Sequence, residues 1–368
     1  MYLKELSILN FKNFPQEEME FCPRLNVFLG NNGAGKTNLM DAIYYLSFCK
    51  SYFNNIDSQS IRHDENFLMI QGNYLLNDKN EAVLCSIKKG QKKQFKRNRK
   101  DYEKLSDHIG LLPLVMVSPS DIKLILDGSD VRRKFVNGVI SQYDKEYLED
   151  LLVYQKALAQ RNALLKDFAS KRHFDAVSLE IWTEPIIETG ERIHKKRLEY
   201  IKEFIPIFNK HYNFISGENE IVSLEYSSQL DNEDFREVLK RSLEKDRQFQ
   251  YTTAGIHKDD LELSLGGYPI KQTGSQGQKK SYLVALKLAQ FDFIKKVTGI
   301  TPIFLLDDIF DKLDRHRVAK ILELVAGNNF GQIFITDTGP ERIDPILKGL
   351  NAEYRIFTIQ NNSALLNP

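Results

Sequence analysis

Cysteine is scarce in this chain: Cys22, Cys49 and Cys85 stand alone among 368 residues. They are scattered and form no C-x-x-C pair, which excludes a disulfide framework and leaves small buried thiols in a reducing setting. The 7 histidines are dispersed as well, without zinc-ligand spacing. Long apolar runs are missing. No stretch approaches the roughly 18 apolar residues of a membrane-spanning helix, so no membrane partner is expected. The opening residues Met1 to Leu6 lack the apolar stretch and cleavage site of a secretion signal, and a cytoplasmic location is expected. Charge of one sign is not in excess either. Lys and Arg total 51 against 50 Asp and Glu, which rules out a uniformly basic nucleic-acid coat and leaves room only for local basic patches.

What is present is ordinary globular composition, 42% hydrophobic and 27% charged, which argues against disorder. The length suits two domains, or one large domain with an insertion. Leu6 to Phe11 and Leu25 to Leu29 read as strands, and Asn38 to Phe48 has Leu39, Ala42, Ile43 and Leu46 at helical spacing. Residues 66–100 read as an antiparallel ribbon, and Leu111 to Val117 as a further strand. From 122 to 247 the pattern turns helical and glycine-poor. It holds amphipathic segments at Tyr147–Leu165 and Leu179–Phe208, the latter expected to break at Pro185 and Pro206. After Tyr251 the β/α character returns: a helix from Ser275 to about Val297, a strand Pro302–Leu306, a helix from His316 to Val325 and a strand Gln332–Thr336. The expected layout is an α/β domain built from 1–121 and 248–368, with a helical lobe or arm, 122–247, inserted between them.

Gly30-Asn31-Asn32-Gly33-Ala34-Gly35-Lys36-Thr37 matches G-x-x-x-x-G-K-[ST] between a predicted strand and a predicted helix. Glycines let successive backbone N–H groups turn inward around an anion, and the following helix points its positive end at the same place. Lys36 can reach β- and γ-phosphates, and the Thr37 hydroxyl can ligate Mg²⁺. ATP with Mg²⁺ is the expected ligand. Downstream, Phe304-Leu305-Leu306-Asp307-Asp308 is an apolar strand ending in two acids, a place where a cation or water can meet them. Asp307 is the candidate outer-shell Mg²⁺ partner. Strand alternation would send Asp308 to the opposite side, where it could orient an attacking water as a catalytic residue beside Lys36.

Gly274-Ser275-Gln276-Gly277-Gln278 opens a long helix and resembles the L-S-G-G-Q signature of ABC-type ATPases. Its free N–H groups and serine hydroxyl suit a γ-phosphate, although an ordinary capped helix reads the same way. In that superfamily the signature faces the phosphate loop of another subunit, which implies an ATP-dependent homodimer that places Ser275, Gly277 and Gln278 on a partner's nucleotide. Lys312-Leu313-Asp314 falls where such ATPases carry a dimer-contact loop.

Taken together, the chain resembles the RecF family of bacterial recombination mediators, in the SMC-like branch of ABC ATPases. The likeness runs nearly end to end: Leu9-Asn10-Phe11-Lys12-Asn13-Phe14, the phosphate loop, Ser118-Pro119-Ser120-Asp121, Gly128 with Val131 to Phe135, Arg161 to Leu165, Asp246-Arg247-Gln248, and Gly255 to Asp260. Ile256 and Lys258 depart from the family's usual proline and arginine. Val117-Ser118 offers no γ-phosphate-sensing glutamine, and Thr336-Asp337-Thr338 replaces the switch histidine, which implies slow hydrolysis. The resemblance implies a P-loop, ABC-type ATPase head of mixed sheet plus antiparallel ribbon with a short helical arm, and it adds Asn13 to the nucleotide-binding residues. It also implies binding to single-stranded and gapped DNA and to double–single-strand junctions. With RecO and RecR, such a protein would help load RecA, with roles in replication, repair and the SOS response.

For DNA contact the sequence offers one dense stretch. Lys88, Lys89, Lys92, Lys93, Lys96, Arg97, Arg99 and Lys100 lie together without an acid among residues 88–100. Such density fits phosphates, and it equally fits a solvated ribbon edge that must not pair with another edge. Arg132 and Arg133 either bind phosphate or seal the lobe against the head; Lys271, Lys279 and Lys280, flanking the signature, divide the same way. Two other readings use the same motifs. A transporter ATPase subunit would not need so long a helical insertion. A nuclease fused to an ABC-like head would need a further carboxylate cluster, for which little sequence remains after Asp314.

Overall fold

The computed structural model describes residues 1–367 other than 218, 219, 232, 309–316, 318, 319, 321, 322, 324–326, 328 and 340–352. The chain opens with β1 (Tyr2–Phe11), β2 (Phe14–Glu20) and β3 (Leu25–Leu29), followed by α1 (Lys36–Phe48). Strands β4 (Phe67–Leu76), β5 (Lys79–Lys88), β6 (Gln94–Arg97), β7 (Lys100–Asp101) and β8 (Leu114–Val117) come next. Helices α2 (Lys123–Leu126), α3 (Ser129–Ile140), α4 (Lys145–Lys171) and α5 (Ala176–Ser216) lead to β9 (Val222–Ser227) and α6 (Phe235–Phe249). Then come β10 (Asp260–Leu265), β11 (Tyr268–Pro269), α7 (Ile270–Thr273) and α8 (Gln276–Thr298), and the chain closes with β12 (Ile303–Asp307), β13 (Ile333–Asp337), β14 (Tyr354–Gln360) and β15 (Ser363–Leu366). It divides into two units, one of residues 1–121 with 280–368 and one of residues 122–279. Lys312–Asp314 lies outside the described residues, as does most of the helix expected from His316 to Val325. Among the described residues no helix is long and apolar enough to cross a membrane.

Among the described residues the first unit holds two sheets. One is antiparallel, in the order β2-β1-β4-β5-β6-β7. Its β4 and β5 alternate buried with half-buried positions, as a sheet with one covered face requires. Asn77 and Asp78 turn between them with φ of 49° and 61°, the left-handed pair of a tight hairpin. The other sheet runs β15-β14-β3-β13-β12-β8, and β14, β3, β13, β12 and β8 are parallel. Strands β8, β12 and β13 are buried at every position, the mark of a sheet covered on both faces. Side chains of both sheets and of α1 merge in a single core. A buried amide ties the sheets: the Leu3 N–H donates to Gln332 Oε1 at 2.7 Å, and Gln332 Nε2 donates to the carbonyls of Leu3 and Cys22 at 2.8 and 2.9 Å. With its donors and acceptor satisfied, that amide avoids the cost of burying polar atoms.

In the second unit α4 and α5 pack on one another. Helix α5 runs unbroken for 41 residues with Pro185 and Pro206 inside it, so the expected breaks do not occur. Each proline removes one N–H bond. The residues four positions earlier, Ile181 and Lys202, whose carbonyls lose those bonds, lie on the exposed side of the helix. The opposite face, with Ile186, Ile193, Phe204 and Phe208 fully buried, holds the helix straight through. The region read as mostly helical also contains a strand, β9, paired antiparallel with β10. That pairing places residues 248–279 in the second unit rather than with the head, where the sequence layout put them.

Two buried ion pairs hold this unit together and use the blocks that looked scattered in the sequence. Arg161 donates to Asp246 Oδ2 at 2.8 Å and to Thr252 Oγ1 at 2.7 Å, while the Thr252 N–H donates to Asn162 Oδ1 at 2.7 Å. Arg197 donates to Asp259 Oδ2 at 2.7 Å and to the Ile256 carbonyl at 2.9 Å. Breaking one partner of such a pair strands a buried charge. Arg161→Met is therefore expected to cost about 3–5 kcal/mol in the second unit's unfolding transition, and adding Asp246→Leu should recover most of it. Urea melts of the single and double variants check this; an unaltered single variant would show that the pair does not hold the unit.

Candidate functional site

The phosphate loop joins β3 to α1 at the carboxyl end of the parallel sheet, where open α/β sheets place their ligands. Gly35 caps α1 with φ of 111°, and a Cβ there would lie 2.5 Å from Asn13 Nδ2. Only glycine fits both the backbone and the gap. The Asn38 and Leu39 amides donate back to the Gly35 carbonyl at 2.9 and 3.2 Å. Lys36 is buried along most of its length and curls over the loop, donating to the carbonyls of Gly30 and Asn31 at 2.6 and 3.0 Å. Burial pulls its ammonium below the ordinary lysine range, and the carboxylates of Asp308, Asp307 and Asp337 oppose that pull.

Asp307 ends β12 and is 3% exposed. The Thr37 hydroxyl lies 3.0 Å from each of its oxygens, and the Thr336 hydroxyl donates to Oδ1 at 2.8 Å. Burial pushes the Asp307 carboxyl up, against the two hydroxyls, which favour the charged form. Thr336 occupies this place because β13 lies between β3 and β12 in the sheet. Asp308 does not cross to the opposite side as strand alternation suggests. It sits just beyond the strand with φ of 47°, its N–H bonded to Thr336 Oγ1 at 2.9 Å. That left-handed step turns its side chain to the same cleft of about 190 Å³, which Asn32, Gly33, Lys36, Thr37, Asp307 and Thr336 also line.

Asn13, from the turn between β1 and β2, lies against the loop rather than in the cleft. Its Nδ2 donates to the Ala34 carbonyl at 3.2 Å and to Asn362 Oδ1 at 2.8 Å, and its Oδ1 accepts from Asn38 Nδ2 at 2.7 Å. Sequence reasoning missed Thr336, Asn38 and Asn362 as parts of this assembly. Thr336 was legible in principle as a hydroxyl at the end of an apolar strand; nothing local marked Asn362.

The signature residues lie in the second unit. Ser275 and Gln278 form a capping box: the Gln278 N–H donates to Ser275 Oγ at 3.2 Å and the Ser275 N–H to Gln278 Oε1 at 2.8 Å. Gln278 Nε2 also donates to Glu220 at 3.0 Å, so its side chain is held within the unit. Ser275 is exposed and Gly277 half-buried.

The basic stretch separates into two kinds of residue. Lys92 is exposed and forms no ion pair among the described residues, as do Lys88, Lys89, Arg99 and Lys100. Lys93 turns inward, donating to the Cys49 carbonyl at 2.5 Å and pairing with Asp57 at 2.8 Å, with 12% of its side chain exposed. Arg97 holds Glu81 through two bonds of 2.8 Å and keeps that carboxyl below the usual range. Lys96 pairs with Asp101 at 3.4 Å. Arg132 grips Asp260 bidentately at 2.7 Å, and Arg133 donates to the Asp259 carbonyl at 2.6 Å. Both arginines therefore brace β10 within the second unit.

This fold and this site define a P-loop ATPase head of the ABC type with an inserted, largely helical lobe. A sequence profile of the RecF/RecN/SMC N-terminal domain matches residues 2–362. The DNA replication and repair protein RecF of Phocaeicola vulgatus is 55% identical over 363 residues, covering 98% of this chain and 97% of that one. The protein of the same name from Flavobacterium johnsoniae is 52% identical over 359 residues, covering 98% and 100%. A solved structure of the recombination mediator protein RecF with ATP, from the RecFOR pathway, superposes with a TM-score of 0.90 at 30% identity, covering 100% of this chain and 98% of that one. An Smc head domain from Pyrococcus furiosus superposes at 0.58 with 16% identity, covering 100% and 96%, and shares the fold. The chain belongs to the RecF family.

Because the Asp307 pKa is raised by folding, its ionisation opposes folding. The penalty is absent below the ordinary aspartate pKa and grows as pH rises through the raised one. Asp307→Asn is expected to raise the thermal midpoint at pH 8 by roughly 2–4 °C, with the gain vanishing near about pH 3.5. Thermal melts of both proteins across that range check the sign.

Proposed function

We propose that the chain is an ATP-dependent DNA-binding recombination mediator of replication and repair, acting in the cytoplasm. The observation that carries the nucleotide part is the convergence of Lys36, Thr37, Asp307, Asp308 and Thr336 on one cleft below the phosphate loop. The donors available there to a cation are oxygens, the Thr37 hydroxyl and the Asp307 carboxylate, which suits a hard ion. Mg²⁺ held by Thr37, with Asp307 in its outer shell, would neutralise phosphate charge. Backbone N–H groups of the loop and the α1 N-terminus bind the phosphates, and Lys36 exchanges its carbonyl partners for phosphate oxygens. Asp308 accepts a hydrogen bond from the attacking water and orients it. Ser275 and the first amides of α8 cap the γ-phosphate bound to a second copy, so ATP binding closes a homodimer and slow hydrolysis opens it.

On this reading the closed dimer grips gapped DNA, single strands or double–single-strand junctions, and works with RecO and RecR to load RecA. The exposed lysines and arginine at Lys88, Lys89, Lys92, Arg99 and Lys100 are the surface suited to phosphates. Lys93, Arg97, Arg132 and Arg133 are committed to internal partners and support the fold.

Lys36→Arg and Ser275→Arg are each expected to lower ATP-dependent retention of gapped DNA by about tenfold or more, since each removes one half of the shared site. Filter binding with and without ATP reads the effect, and wild-type retention in both variants would overturn the clamp. Lys92→Ala should weaken binding to all sequences alike and flatten the log–log salt dependence by about one unit.

A further inference from the structure

We propose that Asn362, in the turn between β14 and β15, is a positioning residue for the phosphate loop and acts through Asn13. The proposal rests on reading that loop as the nucleotide site.

The hairpin β14–β15 is linked to the loop at two places, directly at Gly30 and through Asn13 at Ala34. At the entry, β14 pairs in parallel with β3 up to Thr358 opposite Leu29, which brings Ile359 beside Gly30. A Cβ on Gly30 would lie 2.4 Å from the Ile359 carbonyl oxygen, so the hairpin backbone closes directly on the first loop residue. Toward the far end, Asn362 Oδ1 accepts from Asn13 Nδ2 at 2.8 Å, and the same nitrogen donates to the Ala34 carbonyl at 3.2 Å. Asn38 Nδ2, in the first turn of α1, completes the set by donating to Asn13 Oδ1 at 2.7 Å. Both hydrogens of the Asn13 amide are thus committed, one to the loop and one to the hairpin. The hairpin thus meets the loop directly at Gly30 and, through Asn13, at Ala34.

Turn chemistry alone does not explain the residue. Asn361 and Asn362 have φ of 52° and 60°, a two-residue left-handed turn. Asparagine suits the first position, but glycine is the usual second residue because it adopts that conformation without strain. Glycine at 362 would make the same turn and lose the amide. An asparagine that reaches Asn13 is what the brace requires.

The bond is exposed, so its loss should be of the size of one ordinary hydrogen bond. Asn362→Gly keeps the turn and removes the acceptor. It is expected to weaken ATP binding about fivefold by calorimetric titration, with an unchanged thermal midpoint. Asn13→Ala should weaken binding at least as much, and the double variant should be no worse than Asn13→Ala alone, because the two residues act in series. Without nucleotide, hydrogen exchange of the amides in residues 31–35 should quicken in Asn362→Gly. It should stay at the wild-type rate in Asn362→Asp, which keeps the acceptor. Wild-type affinity in Asn362→Gly, additive losses in the double variant, or unaltered exchange would each overturn the brace. Failure of the wild-type protein to bind ATP would overturn the nucleotide reading instead, and the exchange measurement would still decide the brace.

Discussion

The site depends on one buried carboxylate. Asp307 stands at the end of an apolar strand where an unsatisfied charge would be intolerable, and it is satisfied by hydroxyls from two other segments, Thr37 on α1 and Thr336 on β13. Those bonds fix the first turn of α1 and the ends of two adjacent strands relative to one another. Lys36 then has little freedom, since its neighbour in sequence is anchored and its ammonium is sheltered among carbonyls and acids. The same anchoring sets Asp308, whose N–H shares Thr336 and whose left-handed backbone turns it into the cleft. A polar assembly of this kind is strong only when every member is paired, and here the pairing is what shapes the site.

The second unit follows a different logic. Its long helices supply apolar faces, but buried arginines join them to α6 and to the segment leading into β10: Arg161 to Asp246, Arg197 to Asp259. Buried ion pairs are weak as net stabilisers and costly when broken. Their effect here is selective, because any packing that separates the partners leaves a charge in the core. Arg132 and Arg133 extend that arrangement to β10, which gives a structural account of a paired-arginine block that also looks like a phosphate contact. Charge density in a sequence does not distinguish the two uses. Lys93 and Lys92 are adjacent, yet one is half-buried and paired with Asp57 while the other faces water.

Much of the head was legible residue by residue. The strand–glycine loop–helix order around Lys36 and the apolar strand ending in Asp307 are local patterns, set by backbone freedom at glycine and by the length and composition of a buried strand. So was the existence of the ribbon, because alternation survives in any sheet with one covered face. Where reading went astray, a distant partner had decided the matter. Pro185 and Pro206 stay inside a helix because its buried face outweighs two missing hydrogen bonds. Residues 248–279 join the second unit because β10 finds β9.

The sequence by itself determined that a phosphate-binding loop, a carboxylate-tipped strand and a capped signature helix exist, since each is written within a handful of neighbouring residues. Only the tertiary structure decided which hydroxyl meets Asp307, which lysine is spent inside the fold, and that a turn near the C-terminus reaches Asn13. Those outcomes depend on strand order. The parallel sheet places β13 between β3 and β12, and β14 on the other side of β3, and no window of the sequence contains the four together.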